Sequence, residues 1–245
     1  MKLYKSLWNG FMKHNILTVA NENYRDFLIL FINSLFEFGN LSETDTIYVF
    51  DTGLKEETLQ YLSYFPKVEV VDAGFSSDSQ TIHDEGWKKN TYSKTTFLKD
   101  ILIQTNLPTF MIDSDSIIVQ NFIDLVDPEC DFVGCERARP GFSRYIGSFF
   151  GAINVKKSLD FLDKWINNIE VLQTTTDLKH CESPALAKTI EENNFNVQSI
   201  PEQVVSAVFP SQESRLIHLK SDHYALTVKD RLNLPHAQQF VQRYL

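Results

Sequence analysis

The feature that most limits the fold of this 245-residue chain is a regular alternation of short β-branched runs with amphipathic stretches. The β-branched runs predict strands, and the apolar residues spaced three and four apart between them predict helices. In the first half, strands are predicted at residues 16–20, 46–50, 68–71 and 109–112, and helices at 24–38, 55–65 and 92–105. This alternation implies right-handed crossovers and a mostly parallel sheet. The predicted fold class is therefore α/β.

The second half alternates less regularly and predicts a mixed region. Its predicted strands are residues 131–136, 149–155, 196–200 and 215–219, and its predicted helices are 158–170, 183–194 and 234–245. No repeat, low-complexity tract or Pro/Gly/Ser-rich linker divides the chain. We therefore predict a single domain over residues 1–245, in which residues 1–120 resemble a nucleotide-binding half.

Net charge and cysteine content restrict the partners and the compartment. The formal net charge is −9 and no block of lysine and arginine stands out, so a nucleic-acid partner is not expected. The three cysteines, Cys130, Cys135 and Cys181, are too few and too irregularly spaced for a disulfide scaffold, and this predicts a reducing, cytoplasmic setting. No stretch approaches the roughly 18 uninterrupted apolar residues of a transmembrane helix.

Polar residues follow several predicted strands at their carboxyl ends, where open α/β sheets bind ligands. The first strand is followed by Asn-Glu-Asn at 21–23, the second by Asp51, and the fourth by Asp113 and Asp115. Taken singly, each of the first two groups is better explained by helix capping and turn formation.

Asp113 and Asp115 lie between two apolar runs, in the segment FMIDSDSIIV. Two carboxylates about 4 Å apart repel by roughly 4 kcal/mol at an effective dielectric constant near 20, and a proton, a hydrogen-bonding turn or a cation must offset this. A turn whose amides bind both carboxylates is one explanation. A Mg²⁺ or Mn²⁺ ion is another, since these ions take carboxylate oxygens together with the phosphate oxygens of a ligand.

Seven segments, in a consistent order over residues 16–220, resemble the GT-A glycosyltransferases of the nucleotide-diphospho-sugar transferase superfamily. They are LTVANENY, VFDTGLKEETLQYL, TYSKTTFLKDIL, FMIDSDSIIVQNFIDLV, GSFFGAINVKKS, ESPALAKTI and IHLK. The pattern is most similar to the branch of glycogenin and the lipopolysaccharide galactosyltransferases. The resemblance implies a GT-A fold, with a Rossmann-like, mostly parallel sheet flanked by helices and a mixed acceptor-side half at residues 121–245. It also implies an enzyme that moves a sugar from a nucleoside-diphosphate sugar to a glycan or other hydroxyl acceptor, with Mn²⁺ or Mg²⁺.

The resemblance implies roles for individual residues. Asp113 and Asp115 would hold the metal ion against the diphosphate, with His218 as a third ligand. Glu182 would lie near the anomeric carbon of the sugar, and Lys94 would touch the sugar or phosphates of the donor. The other donor-binding residues implied are Thr18, Ala20, Asn23, Asp51, Ser114 and Lys220.

Some of these residues also have ordinary structural explanations. His218 lies between two apolar residues, as a semi-buried histidine would, and Glu182 suits the first turn of a helix. Lys94 is also explained as a solvated helix residue. An inverting reaction needs a carboxylate base opposite the leaving group, and Glu182 and Asp177 are the candidates.

The implied partners are a donor, with UDP-sugars favoured, and a glycan or lipid-linked glycan acceptor, as in polysaccharide biosynthesis. Peripheral contact with a membrane-bound acceptor stays open. The chain departs from the branch at two places: residues 147–150 are Gly-Ser-Phe-Phe instead of an Asn-Ala-Gly turn, and HLKSDHYA replaces H-x-x-G-x-x-K-P-W. The donor sugar and the stereochemical outcome are therefore not implied.

Two alternatives remain. FMIDSDSI also resembles the first motif of haloacid dehalogenase-like phosphatases, in which Asp113 would attack phosphorus and Asp115 would act as acid and base. That motif usually closes with Thr or Val where this chain has Ile117, and no later strand ends in a second acidic pair. The other alternative is a non-catalytic module that binds a sugar nucleotide.

Overall fold

The structure, a computed structural model, describes residues 12–78, 85–138, 143–219 and 228–245. Within these residues the chain forms a seven-stranded central sheet and a separate two-stranded sheet. Helices cover both faces of the central sheet. This arrangement confirms the predicted α/β class and the mostly parallel sheet.

Among the described residues, nine strands form the two sheets. They are β1 (His14–Ala20), β2 (Thr44–Asp51), β3 (Val68–Asp72), β4 (Thr109–Ile112), β5 (Ser116–Ile118), β6 (Phe132–Glu136), β7 (Tyr145–Ala152), β8 (Val197–Pro201) and β9 (Leu216–His218). The central sheet has the order β3-β2-β1-β4-β7-β6-β8, and β5 pairs with β9. In the central sheet β7 runs antiparallel to its neighbours β4 and β6, and the other pairs are parallel.

The helices connect and cover these strands. They are α1 (Arg25–Phe38), α2 (Glu56–Leu62), α3 (Glu85–Thr105), α4 (Val155–Thr175), α5 (Glu182–Glu191), α6 (Glu202–Val205), α7 (Val228–Leu232) and α8 (Pro235–Tyr244). Among the described residues, no helix combines the length and the apolar character needed to cross a bilayer.

The observed bounds of the helices and strands differ from the predicted ones where the sequence pattern is weakest. Helix α3 begins at Glu85 rather than at residue 92, and β7 begins at Tyr145 rather than at residue 149. Strand β5 and the short helices α6 and α7 were not predicted. All three are close to the minimum length of their kind and are set by contacts with other parts of the chain.

Alternate side chains of the central strands point to opposite faces and build two apolar layers. Phe110 and Phe149 face the layer that contains α1, whereas their neighbours Met111 and Phe150 face α3, α4 and α5. All four side chains are fully buried. The sheet is therefore covered on both sides up to its carboxyl edge, where polar residues begin.

A third apolar cluster docks the C-terminal helix α8 against the segment that follows β4. Ala237 and Phe240 of α8 pack with Phe27 of α1, Ile117 of β5 and Ile217 of β9. The end of the chain is thereby held close to the end of β4.

We expect Phe161→Ala to lower the free energy of unfolding by about 3–5 kcal/mol. Phe161 is fully buried and stacks on Phe150 with ring centroids 5.5 Å apart. Urea unfolding followed by circular dichroism measures the change. Phe209→Ala is the matched control: its side chain is 72% exposed, so we expect a change within about 0.5 kcal/mol. Equal losses in the two variants would contradict the placement of Phe161 in the core.

Candidate active site

The carboxyl ends of β1 and β4 and the first part of β7 surround a cavity. Ala20 is the last residue of β1 and Asp113 directly follows β4, and both line this cavity. Because β7 is antiparallel to β4, its residues Gly147 and Ser148 reach the same edge of the sheet. The Asp113 amide donates a hydrogen bond to the Ser148 carbonyl at 3.0 Å. The cavity therefore lies where open α/β sheets bind ligands.

Asp113, Asp115 and His218 come together at one wall of the cavity. One ligand atom from each residue lies within 4.8 Å of the other two. His218 Nε2 is 3.1 Å from Asp115 Oδ1 and 3.8 Å from Asp113 Oδ2. The three residues predicted as metal ligands thus form one cluster that could hold a cation.

His218 is oriented by the small sheet and by two serines. Strand β9 pairs with β5 so that His218 lies opposite Ser116. Its Nδ1 is hydrogen-bonded to the Ser206 hydroxyl at 3.0 Å, and Ser206 is hydrogen-bonded to the Ser148 hydroxyl at 2.7 Å. Hydrogen bonds of this kind fix the orientation of a ligating imidazole and leave Nε2 directed at the carboxylates.

Each carboxylate of the Asp-Ser-Asp segment has a buried cation beside it. Lys94 Nζ is 2.5 Å from Asp113 Oδ1, and Arg231 Nη1 is 2.6 Å from Asp115 Oδ2. Both cations are buried, with 6% of Lys94 and 2% of Arg231 exposed. The repulsion between the two aspartates is therefore offset in part by the chain's own cations.

These contacts stabilise the charged forms of Lys94 and Asp115. Burial alone would lower the pKa of Lys94, but Asp113 and Glu182 beside it raise that pKa above its ordinary value. Burial alone would likewise raise the pKa of Asp115, but His218 and Arg231 hold it well below its usual range. Asp115 and Lys94 are thus ionised at neutral pH.

Glu182 lies across Lys94 from Asp113, and a glycine provides the space for it. Its carboxylate Oε1 is 3.0 Å from Lys94 Nζ, and its side chain is buried. A Cβ on Gly147 would lie 2.4 Å from this oxygen, so a larger residue there would displace the carboxylate. The backbone of Glu182 is held by the buried indole of Trp165, which donates to its carbonyl at 3.1 Å. Lys94, Asp113 and Glu182 therefore form a continuous ionic group on the cavity wall.

One face of α3 lines the cavity. It extends from the outer end of the cavity to the ionic group of Lys94, Asp113 and Glu182. Trp87, Asn90, Thr91 and Lys94 all contribute to the lining, and their spacing of three and four residues puts them on one side of the helix. The Trp87 ring lies 5.1 Å from the ring of His180. Asn90 Oδ1 is buried and has no hydrogen-bond partner among the described residues. The outer end therefore offers an aromatic surface and an amide oxygen.

Two of the remaining predicted donor-binding residues line the cavity. Ala20 and Ser114 both contribute to its wall. Thr18 lies inside β1, fully buried, and does not line the cavity.

Three other predicted residues lie away from the cavity. Asp51 Oδ1 accepts hydrogen bonds from the amides that follow it, at 2.7 and 2.6 Å, as the turn explanation required. Asn23 is exposed and donates to the Asp78 carbonyl at 3.1 Å. Asp177 is exposed between α4 and α5 and does not line the cavity. Lys220 lies outside the described residues.

The sequence argument missed Arg231, Ser206 and the outer residues of α3. The spacing of Trp87, Asn90 and Thr91 relative to Lys94 was a usable signal, because it continues one helical face beyond the predicted start of the helix. Arg231 had no such signal, since it is brought to the site only by tertiary packing.

Comparison with protein-family models and with curated protein sequences gave no match. Comparison with solved structures gave glycosyltransferases, and the likeness extends over nearly the whole chain. The chain therefore has the fold of these glycosyltransferases, and the predicted resemblance in fold is confirmed.

The individual structures share this fold at low sequence identity. The galactosyltransferase LgtC, in complex with donor and acceptor sugar analogues, matches with a TM-score of 0.63 and 13% identity, over 94% of this chain and 96% of LgtC. The glycosyltransferase GlyE of Streptococcus pneumoniae TIGR4 matches with a TM-score of 0.61 and 14% identity, over 95% of this chain and 63% of GlyE. The bifunctional glycosyltransferase WbbM has a TM-score of 0.60 and 11% identity, over 97% of this chain and 52% of WbbM.

We expect Lys94→Met to lower the free energy of unfolding by about 3–5 kcal/mol, because it leaves two carboxylates without their buried cation. Urea unfolding measures the change. Lys99→Met is the matched control on the same helix: Lys99 pairs with Asp163 at the surface, and such pairs contribute at most about 1 kcal/mol. If both variants were as stable as the wild type, the ionic group would not contribute to folding.

Proposed function

We propose that this protein transfers a sugar from a nucleoside-diphosphate sugar to a hydroxyl group of an acceptor. The observation that carries the proposal is the Asp113–Asp115–His218 cluster, which lies in a cavity at the carboxyl edge of the sheet. The likeness in fold to LgtC, whose structure was solved with donor and acceptor sugar analogues, supports the same conclusion.

The donor set of this cluster fits a divalent cation. Carboxylate oxygens suit Mg²⁺ and Mn²⁺, and an imidazole nitrogen is a donor that first-row transition ions accept more readily than Mg²⁺. The mixed set therefore favours Mn²⁺. When bound, this ion would stabilise, as a Lewis acid, the negative charge that develops on the leaving diphosphate.

Lys94 acts in this proposal by holding two carboxylates in place. Its ammonium group has three donors and three acceptors within reach: Asp113 at 2.5 Å, Glu182 at 3.0 Å and the Gly147 carbonyl at 3.4 Å. We therefore assign Lys94 to positioning, in contrast to the direct contact with the donor that the resemblance implied.

Glu182 is the carboxylate that we place next to the anomeric carbon. It lines the cavity and pairs with Lys94, and a carboxylate there would stabilise the positive charge that develops on the sugar when the bond to phosphate breaks. Of the two carboxylates considered as a base, Asp177 is exposed outside the cavity, so Glu182 is the one retained.

The outer end of the cavity would receive the sugar. Trp87 offers a flat aromatic surface and Asn90 a buried oxygen that can accept a hydrogen bond from a sugar hydroxyl. We propose UDP-sugars as the first donors to test and a glycan or lipid-linked glycan as the acceptor, as in polysaccharide biosynthesis. Cys130, Cys135 and Cys181 are buried without a disulfide between them, which supports the proposed cytoplasmic location.

We expect Asp113→Asn to reduce sugar transfer or donor hydrolysis by at least about 100-fold, because it removes a charge that the cation needs. A panel of sugar nucleotides is incubated with the enzyme and Mn²⁺, and release of nucleoside diphosphate is followed by mass spectrometry. Asp113 is preferred to Asp115 for this test, because loss of Asp115 would leave buried Arg231 without its carboxylate. Circular dichroism shows whether the variant is folded.

The matched control is Asp160→Asn, at an exposed position paired with Lys164, and it should keep wild-type turnover. Near wild-type turnover in Asp113→Asn would contradict the proposal. Donor binding without any turnover in the wild type would indicate a binding module, and hydrolysis of p-nitrophenyl phosphate instead of sugar nucleotides would indicate a phosphatase.

A further inference from the structure

Arg231 is a buried guanidinium group in the wall of the candidate active site. It lies on α7 with 2% of its surface exposed, and it lines the cavity. Its Nη1 donates to Asp115 Oδ2 at 2.6 Å and to the Leu219 carbonyl at 3.1 Å. The guanidinium carbon also lies 4.7 Å from the centroid of the Phe27 ring. A permanent positive charge is thus fixed directly beside a candidate metal ligand.

Arg231 leaves Asp115 with both oxygens in contact with a partner. Oδ2 is bound to Arg231, and Oδ1 is 3.1 Å from His218 Nε2. Only one carboxylate oxygen of Asp113 has such a close partner. Lys94 binds Oδ1, while Oδ2 is 3.8 Å from His218 Nε2. A cation that binds here must therefore share Asp115 with a guanidinium group.

The charges of the site predict how a cation and a diphosphate affect each other's binding. The three carboxylates of Asp113, Asp115 and Glu182 face two permanent cations, Lys94 and Arg231. Among the described residues, the formal charges of these five side chains leave a small net negative charge, which attracts a divalent cation only weakly, and like charges on Arg231 and the cation repel. Once a divalent cation is bound, the site becomes net positive and attracts a diphosphate.

We propose that Arg231 makes binding of the divalent cation depend on the diphosphate. Its charge weakens binding of the cation alone and strengthens binding of the nucleoside diphosphate to the cation-loaded site. This inference rests on the proposed function, since it takes the cavity to be the site of a nucleoside-diphosphate sugar. Arg231 is therefore a positioning and charge-balancing residue, which acts on the cation through its charge and through its hold on Asp115.

A purely structural role for Arg231 makes a different prediction. The apolar contacts of Ala237 and Phe240 with Phe27 already dock the C-terminal segment. If Arg231 only added to this docking, its replacement would weaken binding of the cation and of the nucleotide together, or would change neither. The proposal requires changes of opposite sign.

The test measures two affinities in Arg231→Gln. Binding of Mn²⁺ is followed by the electron paramagnetic resonance of free Mn²⁺, and binding of nucleotide by calorimetry at saturating Mn²⁺. The probe is whichever of UDP, GDP, CDP and ADP binds the wild type most tightly. We expect Mn²⁺ alone to bind roughly tenfold more tightly to the variant, and the nucleotide roughly tenfold more weakly. Arg231→Lys keeps the charge and should restore both values towards those of the wild type.

Arg243→Gln is the matched control from the same C-terminal segment. Arg243 pairs with Glu37 at the surface, so both affinities should stay at wild-type values. If both affinities fell together in folded Arg231→Gln, or if neither changed, the proposal would be overturned. If Arg231→Gln did not fold, the Mn²⁺ affinity of the wild type is compared with and without saturating nucleotide. An unchanged affinity would overturn the proposal. A wild type that binds Mn²⁺ but none of the four nucleotides would instead refute the proposed function, and this inference with it.

Discussion

Two ion pairs with buried cations, at the end of β4, hold the site together. Lys94 reaches Asp113 from α3, and Arg231 reaches Asp115 from α7. Desolvation costs several kcal/mol for each buried ion, so these charges persist only because each has its partner in contact. Because the partners come from helices far apart in the sequence, the site is complete only when the sheet, α3 and the C-terminal segment have all packed.

The position of the third candidate ligand depends on the register of the small sheet. His218 pairs with Ser116, and the adjacent pair is Ile217 with Ile117, both buried in the apolar cluster that docks α8. A shift of one residue would turn His218 to the opposite face of the small sheet. It would also remove an isoleucine from the apolar cluster. The same apolar contacts that hold the C-terminal helices therefore also direct an imidazole at Asp115.

The sequence predicts well what is encoded by local periodicity. The first four strands and Asp113 at the end of β4 follow from apolar alternation, and the turn chemistry suggested for Asp51 agrees with its bonds to the next amides. Apolar periodicity alone missed the start of α3, because Trp87 and its neighbours face a cavity and not the core, although their spacing continues the helical face of Lys94. Arg231 was not predictable either, since the polar residues around it are typical of an exposed turn and only tertiary contacts bury it.

Gly147 links the backbone of β7 to the ionic group on the cavity wall. The residues from Gly147 onward replace the Asn-Ala-Gly turn of the resembling branch, and the absent side chain leaves space that the Glu182 carboxylate fills. That carboxylate is tied to Lys94, which is tied in turn to Asp113, so a single substitution in β7 changes the charge, the volume and the hydrogen bonding beside the cation site together. The solved structures with this fold are only 11–14% identical to the chain in sequence, so the shared fold does not determine these side chains. Under the proposed function, Glu182, Gly147 and the face of α3 with Trp87 and Asn90 would select the sugar, whereas the shared fold sets only where the cavity lies.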